Sequence, residues 1–571
     1  MPQCYKLNSM LNFQLFLILL TALLIFSFGV ASVPIAGVDE GRFTQASLNM
    51  LNTGDWFIPE VDGILRLEKP ILFYWEQAVS FLIFGTTEFA ARLPSVLSAT
   101  GLVALAYFMG GIQGTPLIAG LICLSTLFIN FFAKVAMIDM SLCLLISATL
   151  SFFFLSYFFK TKTNNIFNRQ NSDTRIYFYL ASFTASLGFL CKGPIALVLP
   201  SIIIFIFLLK EKELIIFFAQ KKYDSLICIG MFLLVNVPWY FLAHTKTHGE
   251  FTKSFFLEDN LGRFLETTSN HNGAIWFYIP VILIGFSPWS FFLIQALFND
   301  QNSSKVSRIN ITDNTNTLRK FNLIWIAVTF IFFSLSQTKL ITYILPISLP
   351  LILTIAKYWS MKMNAGRGFQ NRNYDILGGF LALFITVPIC LLIILDKLTN
   401  SLNAQLVGEL QFFLIVIGIF SSCTLIIAMT SIKTNLKLSF GLILIFSLGL
   451  YLFSMELIAK PLIESLDGGI KSFCTEIYIP AKEHARKHKR KIAKLASYKL
   501  NRASIGFYCK DTVNNFNDIN SLSKFLASSE TFQRPVYITI KNAEFKNITT
   551  KLIRINQVLK KTDKYIFLKL A

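Results

Sequence analysis

Acidic and basic side chains stand at the edges of several long apolar runs in this sequence. Asp39 and Glu40 follow the first run, in the segment VDEGRFTQ, and Glu68 and Lys69 stand side by side in RLEKP. An ionisable group at membrane depth is costly, so such residues tend to face a polar cavity. A carboxylate there could act as a general base, whereas Lys or Arg could stabilise an anionic leaving group such as a phosphate.

Further ionisable residues stand at the ends of later apolar runs. They are Glu88, Arg92, Lys134, Asp139, Lys192, Glu258, Asp259, Arg263 and Lys339. Arg92 is interpreted as an anchor whose charged head reaches the membrane interface. Lys339 lies between two apolar runs and has no evident partner within its own loop. The sequence lacks a P-loop, a G-x-G-x-x-G fingerprint and an H-E-x-x-H motif, so its chemistry is not of those types.

The composition defines the elements that must hold these residues. The chain has 571 residues, of which 54% are hydrophobic, and its mean hydropathy is +0.58. Apolar runs of about 20 residues recur, which is typical of an all-α polytopic membrane protein. About thirteen spans are predicted, near 12–33, 91–111, 115–133, 139–159, 176–191, 193–209, 225–243, 274–297, 321–337, 340–358, 375–395, 410–430 and 438–455.

Basic loops predict the orientation of these spans. The net charge is +20, and lysines and arginines cluster in the loops near 160–175, 210–222, 305–320, 357–372 and 433–437. Loops rich in Lys and Arg stay cytoplasmic, so the amino terminus is predicted inside and the carboxyl-terminal part outside. We interpret the excess charge as topology and contact with anionic lipid, not as a nucleic-acid site.

Two parts of the chain are too polar to span. Residues 34–90 form the first external loop, in which RFTQASLNMLNTGDW is predicted to be an interfacial amphipathic helix ending at Gly54. Residues 456–571 are predicted to be a separate α/β domain beyond a membrane domain of residues 1–455. Its strands are predicted in ASIGFYC, RPVYITI and KYIFLKL. Cys474 and Cys509 lie in this domain, and the sequence leaves open whether they pair.

The motifs, taken in order, resemble a known family. DEGRFTQ, LEKPILFYW, EFAARLPS, CKGPIALVLP, EDNLGRF and KLITYILP are similar to blocks of the lipid A aminoarabinose transferases. These belong to the polyprenyl-phosphate-sugar glycosyltransferases of the protein mannosyltransferase superfamily, which have the GT-C fold. The resemblance is strong over about residues 10–360, and its specificity lies in the order of the blocks.

The resemblance implies an inverting glycosyltransferase in the bacterial inner membrane with a periplasmic site. Its donor would be an undecaprenyl-phosphate amino sugar, such as 4-amino-4-deoxy-L-arabinose or galactosamine, and its acceptor lipid A or another envelope glycan. Membrane lipids would be its other partners, and it would act as a monomer. The implied residues are Asp39 and Asp139 as catalytic acids, Lys69, Arg263, Lys339 and Tyr343 at the donor phosphate, and Glu40, Glu68 and Lys192 as assisting groups.

One position departs from the family. Asn260 stands where the family has a metal-ligating histidine, and an amide is a poor zinc ligand. A divalent metal held by Glu68 and Glu258 therefore stays open, as does the identity of the sugar. Two other functions also stay open. One is a protein O-glycosyltransferase on the same scaffold, and the other is a lipid-sugar flippase, which the absence of an internal repeat disfavours.

Overall fold

The structure, a computed structural model, is dominated by helices. It describes residues 2–162, 171–262, 273–298, 313–364, 435–488, 494–500, 502–527, 535–545, 555–562 and 564–570. The first eleven helices are α1 (Pro2–Ser27), α2 (Val38–Thr53), α3 (Leu72–Phe84), α4 (Glu88–Ile112), α5 (Pro116–Leu124), α6 (Leu127–Ala133), α7 (Ile138–Lys162), α8 (Asn171–Lys192), α9 (Ile195–Lys210), α10 (Leu214–Gln220) and α11 (Lys222–Lys246).

Further helical segments follow α11, and several of them are short or irregular. They are Glu250–Thr252, the π-helical Lys253–Gly262, Tyr278–Gly285, the 3-10 turn Trp289–Phe292, Leu293–Phe298, Asp313–Leu335, the 3-10 segment Ile341–Ile347 and Ser348–Asn364. A helix or a pair of helices lies at each predicted span except those near 375–395 and 410–430, which fall outside the described residues.

The described helices make the chain a multi-pass membrane protein. Within the described ranges, six helices are long and apolar enough to cross a membrane, or up to eight if each bent pair is one span. Their packed faces form one large core, whose fully buried side chains include Trp289, Trp325 and Trp359. The exposed faces carry large apolar side chains such as Phe108, Leu234 and Ile331, as lipid contact requires.

Two predicted spans are bent rather than straight. Helices α5 and α6 meet at 59°, and Tyr278–Gly285 meets the helix after it at 112°. Pro288 stands in the second break and lacks the N–H that a continuing helix needs. At the first break the helix gives way at Ser125, whose hydroxyl donates to the Leu121 carbonyl at 2.7 Å. Hydrophobic periodicity and hydropathy along the sequence do not reveal such bends.

The membrane part and the tail are joined by one helical path. α-Helical and π-helical segments alternate without interruption through 436–454, 455–459, 460–463, 464–468, 469–473, 474–478 and 479–487. Asn435 caps its start by accepting hydrogen bonds from the amides of Lys437 and Leu438. The domain boundary predicted at residue 456 therefore falls inside a helix, so a rise in polarity marks where the helix leaves the apolar layer and not where it ends.

The tail is a five-stranded mixed sheet. Its strands are β3 (Lys494–Tyr498), β4 (Val513–Phe516), β5 (Val536–Lys541), β6 (Ile555–Lys561) and β7 (Tyr565–Leu570), in the spatial order β4-β3-β5-β7-β6. β3 is parallel to both β4 and β5, with Lys494 opposite Val536, whereas β7 is antiparallel to β5 and β6. The strands predicted in RPVYITI and KYIFLKL correspond to β5 and β7.

The strand predicted in ASIGFYC was wrong. ASIGFYC forms the helix Ser504–Cys509, because its apolar residues are buried together against α2 and the long helix rather than on alternate faces of the sheet. Cys509 at its end forms a disulfide with Cys474, 35 residues earlier. Tertiary packing here overrides a local apolar run that suits either structure.

The loop of residues 34–90 packs against the tail. α2 ends at Gly54, whose φ of 76° and N–H bond to the Met50 carbonyl match the predicted end of the amphipathic helix. β1 (Glu60–Val61) and β2 (Ile64–Leu65) then form a small antiparallel hairpin across Asp62 and Gly63. The Asp62 carboxylate accepts hydrogen bonds from the Val513 amide and the Asn515 side chain of the tail.

Candidate functional site

A cavity with charged and apolar lining lies between the loop of residues 34–90 and the ends of the spans. Its volume is about 660 Å³, which suits a substrate of several rings or a sugar with a phosphate. The charged side chains that line it are Asp39, Arg42, Arg66, Glu68, Lys69, Asp139, Lys192 and Asp259, with Asn260 and Tyr343 beside them. From Asp39 to Tyr343 the lining residues span more than 300 positions of the chain, so the fold brings together residues that the sequence keeps separate.

Two partly buried ion pairs hold the lysines of the cavity. Lys69 pairs with Asp259 and also donates to the Glu68 carbonyl at 2.9 Å. Lys192 donates to Asp139 at 2.5 Å, and its ammonium lies 5.1 Å from the centre of the Tyr343 ring. Each acid compensates a cation that would be costly to bury alone.

The turn after α8 fixes the position of Lys192. Gly193 has a φ of 78°, a left-handed conformation that ends the helix directly after Lys192. A Cβ on Gly193 would lie 2.3 Å from the Phe255 ring, so only glycine allows this approach. Phe255 belongs to the same π-helical segment as Asp259. The CKGP motif thus brings Lys192 next to the π-helical segment that carries Asp259.

A second group of charged residues lines the cavity near the start of α2. Asp39 and Arg42 stand in the first turns of α2, and Asp39 is exposed. Arg66 follows β2, and its guanidinium carbon lies 4.3 Å from the centre of the Phe43 ring. Arg66 is not among the site residues predicted from the sequence. The available signal was its spacing of two residues from Glu68, which puts both side chains on one side of an extended segment.

Glu40 is placed away from the cavity, contrary to its assignment as an assisting group. Its carboxylate accepts hydrogen bonds from Arg92 Nε at 2.8 Å and Nη2 at 3.0 Å, and from the amides of Ala36 and Ala136. Arg92 is 2% exposed, so it is not the interfacial anchor that the sequence suggested. Its remaining donors bind backbone carbonyls at the end of the first span.

Lys339 lies beside the cavity wall rather than among its lining side chains. Its ammonium donates to the carbonyls of Ser334 at 3.0 Å and Ser336 at 2.5 Å, and burial lowers the pKa of Lys339 below its usual value. Both carbonyls belong to the turn that carries Ser336 and Leu340 into the lining. Lys339 therefore shapes this wall. Arg263, the other predicted phosphate ligand, lies outside the described residues.

The residues assigned to a metal do not come together as a ligand set. Glu68 lines the cavity, whereas Glu258 is exposed and not part of the lining. Asn260 donates its amide to the Phe255 carbonyl at 2.7 Å. Over the part of the chain that the structure describes, no three His, Cys, Asp or Glu side chains are close enough to hold a metal ion. We therefore derive no step through a metal.

The arrangement suits a reaction in which a phosphate leaves. Lys69 and Lys192 line the cavity as cations that suit a phosphate, and the exposed Asp39 is accessible to an acceptor. Apolar side chains of α9 and of Asp313–Leu335, including Ile195, Val198 and Phe333, continue the lining from Lys192 into the membrane region. A polar head and an apolar chain could therefore occupy the cavity together.

Known proteins are similar to this chain over parts of its length. Residues 68–240 match the family described as dolichyl-phosphate-mannose-protein mannosyltransferase. An undecaprenyl phosphate-alpha-4-amino-4-deoxy-L-arabinose arabinosyl transferase from Yersinia enterocolitica is 32% identical over 327 residues, 56% of this chain and 54% of that protein. A similarly named transferase 2 from Proteus mirabilis is 29% identical over 393 residues, 67% of this chain and 65% of that protein. The chain spans about half the length of the first of these relatives.

Solved structures extend the similarity to nearly the whole fold. ArnT from Cupriavidus metallidurans, crystallised bound to undecaprenyl phosphate, aligns with a TM-score of 0.75 and 17% identity over 97% of both chains. Its apo state aligns with a TM-score of 0.71. The resemblance seen in the sequence is thus confirmed: the chain is similar to aminoarabinose transferases over part of its length and shares the fold of ArnT.

Proposed function

We propose that the protein is an inverting glycosyltransferase that moves an amino sugar from undecaprenyl phosphate to lipid A or a related envelope acceptor. The observation that carries this is the convergence of Asp39, Asp139, Lys69 and Lys192 in one cavity open to apolar lining. The names of the similar proteins support 4-amino-4-deoxy-L-arabinose as the sugar. The proposed location is the periplasmic face of the bacterial inner membrane.

In the proposed reaction the acceptor oxygen bonds to the anomeric carbon as the bond from that carbon to the phosphate oxygen breaks. Undecaprenyl phosphate leaves with the bonding electron pair, and Lys69 and Lys192 stabilise its charge. A hydroxyl acceptor passes its proton to Asp39, whereas a phosphate acceptor needs no base, and Asp39 then orients it. Holding both lipids in one cavity supplies much of the rate through proximity.

The acids opposite the lysines have a positioning role in this proposal. Asp259 and Asp139 hold Lys69 and Lys192 on two walls before the donor arrives. The side chain of Lys192 is 16% exposed, so its ammonium need not move far to meet a phosphate. Preorganised cations stabilise developing charge without the cost of reorganisation during the reaction. Arg263, outside the described residues, keeps its proposed place near the phosphate.

The orientation is also part of the proposal. The Cys474–Cys509 disulfide suits an oxidising compartment such as the periplasm. The tail would then lie outside and the amino terminus inside, in agreement with the basic loops.

A lysine variant tests the proposed site. We expect Lys69→Ala to lower sugar transfer by about a hundredfold or more, because one preorganised charge stabiliser is lost. Membrane insertion should stay that of the wild type, but Asp259 loses the Lys69 ammonium and thermal stability falls, so transfer is compared per folded molecule. Lys246→Ala is the matched control, because Lys246 pairs with Asp55 at 3.0 Å on the exposed part of the loop region. Normal transfer by Lys69→Ala would remove this residue from the phosphate site.

Mass spectrometry of lipid A from cells with and without the gene identifies the acceptor and sugar. The proposal expects a mass increment of one amino sugar per modified phosphate. An increment found on a secreted protein instead would indicate the O-glycosyltransferase alternative. Sugar delivered to the outer leaflet without any covalent product would indicate a flippase.

A further inference from the structure

Arg66 is a buried cation whose hydrogen-bonding capacity is not used within the described structure. The residue is 7% exposed and lines the cavity. Its Nε and Nη1 atoms have no hydrogen-bond acceptor among the described residues. The Glu68 carboxylate lies 3.5 Å from Nε. This distance allows electrostatic attraction, but the contact is not a hydrogen bond. Buried donors in this state call for a ligand.

The surroundings of Arg66 hold its guanidinium in one orientation. Its backbone amide donates to the Pro59 carbonyl at 2.7 Å, which fixes the start of the side chain. The guanidinium lies over the Phe43 ring at 4.3 Å and near the Tyr74 ring at 5.9 Å. Aromatic rings on one face leave the edge of the guanidinium for hydrogen bonding. The guanidinium is a planar set of N–H donors that suits the oxygens of a phosphate, and its Nε and Nη1 donors are the ones without an acceptor among the described residues.

The contacts of Arg66 differ from those of Lys192. Arg66 contacts residues of α2 and the start of α3, whereas Lys192 contacts Asp139 and Tyr343. Glu68 adjoins both Arg66 and Lys69, because its carboxylate lies 3.5 Å from Arg66 and its carbonyl accepts a hydrogen bond from Lys69. The apolar lining that a polyprenyl chain requires adjoins Lys192, through Ile195 and Val198 of α9. The donor phosphate of the proposed reaction is therefore assigned to the side of Lys192, whereas Arg66 lies beside α2, which carries the exposed Asp39.

We propose that Arg66 binds a phosphate monoester of the acceptor, at a second anion site distinct from that of the donor phosphate. This inference rests on the proposed function, since it concerns the acceptor of that reaction. Two phosphates in a cavity of about 660 Å³ repel each other unless each meets its own cation. By neutralising the acceptor phosphate, Arg66 lets its oxygen approach the anomeric carbon beside the leaving phosphate.

The test compares acceptor and donor binding in Arg66→Gln, using the purified full-length protein in detergent. Probes are undecaprenyl phosphate, lipid A with its phosphates, and lipid A from which they have been removed. We expect Arg66→Gln to raise the KM and the Kd for phosphorylated lipid A by about tenfold or more, as for loss of a charged hydrogen bond. Binding of undecaprenyl phosphate and of dephosphorylated lipid A should not change.

Two controls accompany this comparison. Arg66→Lys keeps the charge but replaces the planar guanidinium donors by a single ammonium, so it should bind phosphorylated lipid A with intermediate affinity. It also provides the same comparison if Arg66→Gln does not fold. Lys246→Gln removes a cation that lies outside the cavity lining and should leave all three affinities unchanged.

Each result decides between distinct interpretations. Equal weakening of undecaprenyl phosphate binding would place Arg66 at the donor and overturn the inference, as would unchanged binding of phosphorylated lipid A. If the wild type transfers no sugar to any acceptor, the proposed function fails. The binding comparison still tests Arg66 in that case, because it requires no turnover.

Discussion

Glu40 and Arg92 illustrate how a charged residue in a motif serves the fold rather than the chemistry. Arg92 donates to both carboxylate oxygens of Glu40 and to the carbonyls of Val30, Val33 and Pro34. This network joins the end of the first span, the start of α2 and the span of α4. Asp39, one residue before Glu40, instead opens into the cavity. Adjacent acids therefore divide structural and chemical roles.

Replacing Arg92 should destabilise the protein without acting on the site directly. In Arg92→Met, Glu40 stays buried without its cation, and breaking a buried pair in this way costs about 3–5 kcal/mol. The expected result is a clear fall in thermal stability and in the yield of folded protein. Transfer per folded molecule should stay near the wild-type level.

The control for this variant is Arg175→Met. The Arg175 side chain is 61% exposed and 3.8 Å from Asp224, which keeps Lys221 at 3.3 Å when Arg175 is lost, so this contact should contribute about 0–1 kcal/mol. Comparable melting temperatures for the Arg92 and Arg175 variants would show that the buried network is not needed for stability.

At the scale of elements, α2 links the cavity to the tail. Its inner face carries Phe43 toward the core, and its outer face meets the helix Ser504–Cys509. Gly41 lies in this contact: a Cβ there would lie 2.9 Å from the backbone nitrogen of Ser504. Backbone cannot move aside as a flexible side chain can, so the glycine sets how closely the tail approaches the site.

Gly41→Ala should therefore loosen the tail, although alanine is the better helix former by about 1 kcal/mol. Overpacking of this kind costs about 1–3 kcal/mol, so we expect a net loss of stability. Faster amide hydrogen exchange in residues 502–516 would report it.

Gly230→Ala is the matched control, because Gly230 is also helical and has no atom within 4 Å of the added Cβ. It should be neutral or slightly stabilising. Unchanged exchange in Gly41→Ala would show that the contact with Ser504 yields without cost.

At the scale of the molecule, the cavity and the tail lie at one end of the spans. α9 starts beside the cavity at Ile195 and ends at Lys210, so α10 and the start of α11 lie at the opposite end. Lys210, Lys221 and Lys222 belong to that end, as expected for a cytoplasmic side. The tail helix continues from the span 436–463 and ends among basic residues at Lys487.

Cysteine labelling should report these two sides in intact cells stripped of the outer membrane. A membrane-impermeant maleimide should label Lys487→Cys directly, and Tyr223→Cys only after permeabilisation. Tyr223 is 78% exposed, so access rather than burial decides its labelling. The wild-type chain measures background from its own cysteines. Labelling of Tyr223→Cys in intact cells would reverse the proposed orientation.

The sequence by itself determined the class of the protein and most of its spans, because hydropathy and basic loops are local properties that the bilayer enforces along every helix. It also identified Asp39, Lys69, Asp139 and Lys192 as candidates, since charges at membrane edges need a cavity. The order of its motifs indicated the family resemblance that the comparisons confirmed.

Only the tertiary structure decided which charges meet. Pairing between Glu40 and Arg92, the place of Lys339 behind the wall, and the unsatisfied donors of Arg66 depend on distances between segments far apart in the chain. The same holds for the bends within two spans and for the helix formed by ASIGFYC. Periodicity describes how one segment presents its side chains, whereas the partner of each side chain is set by packing between segments.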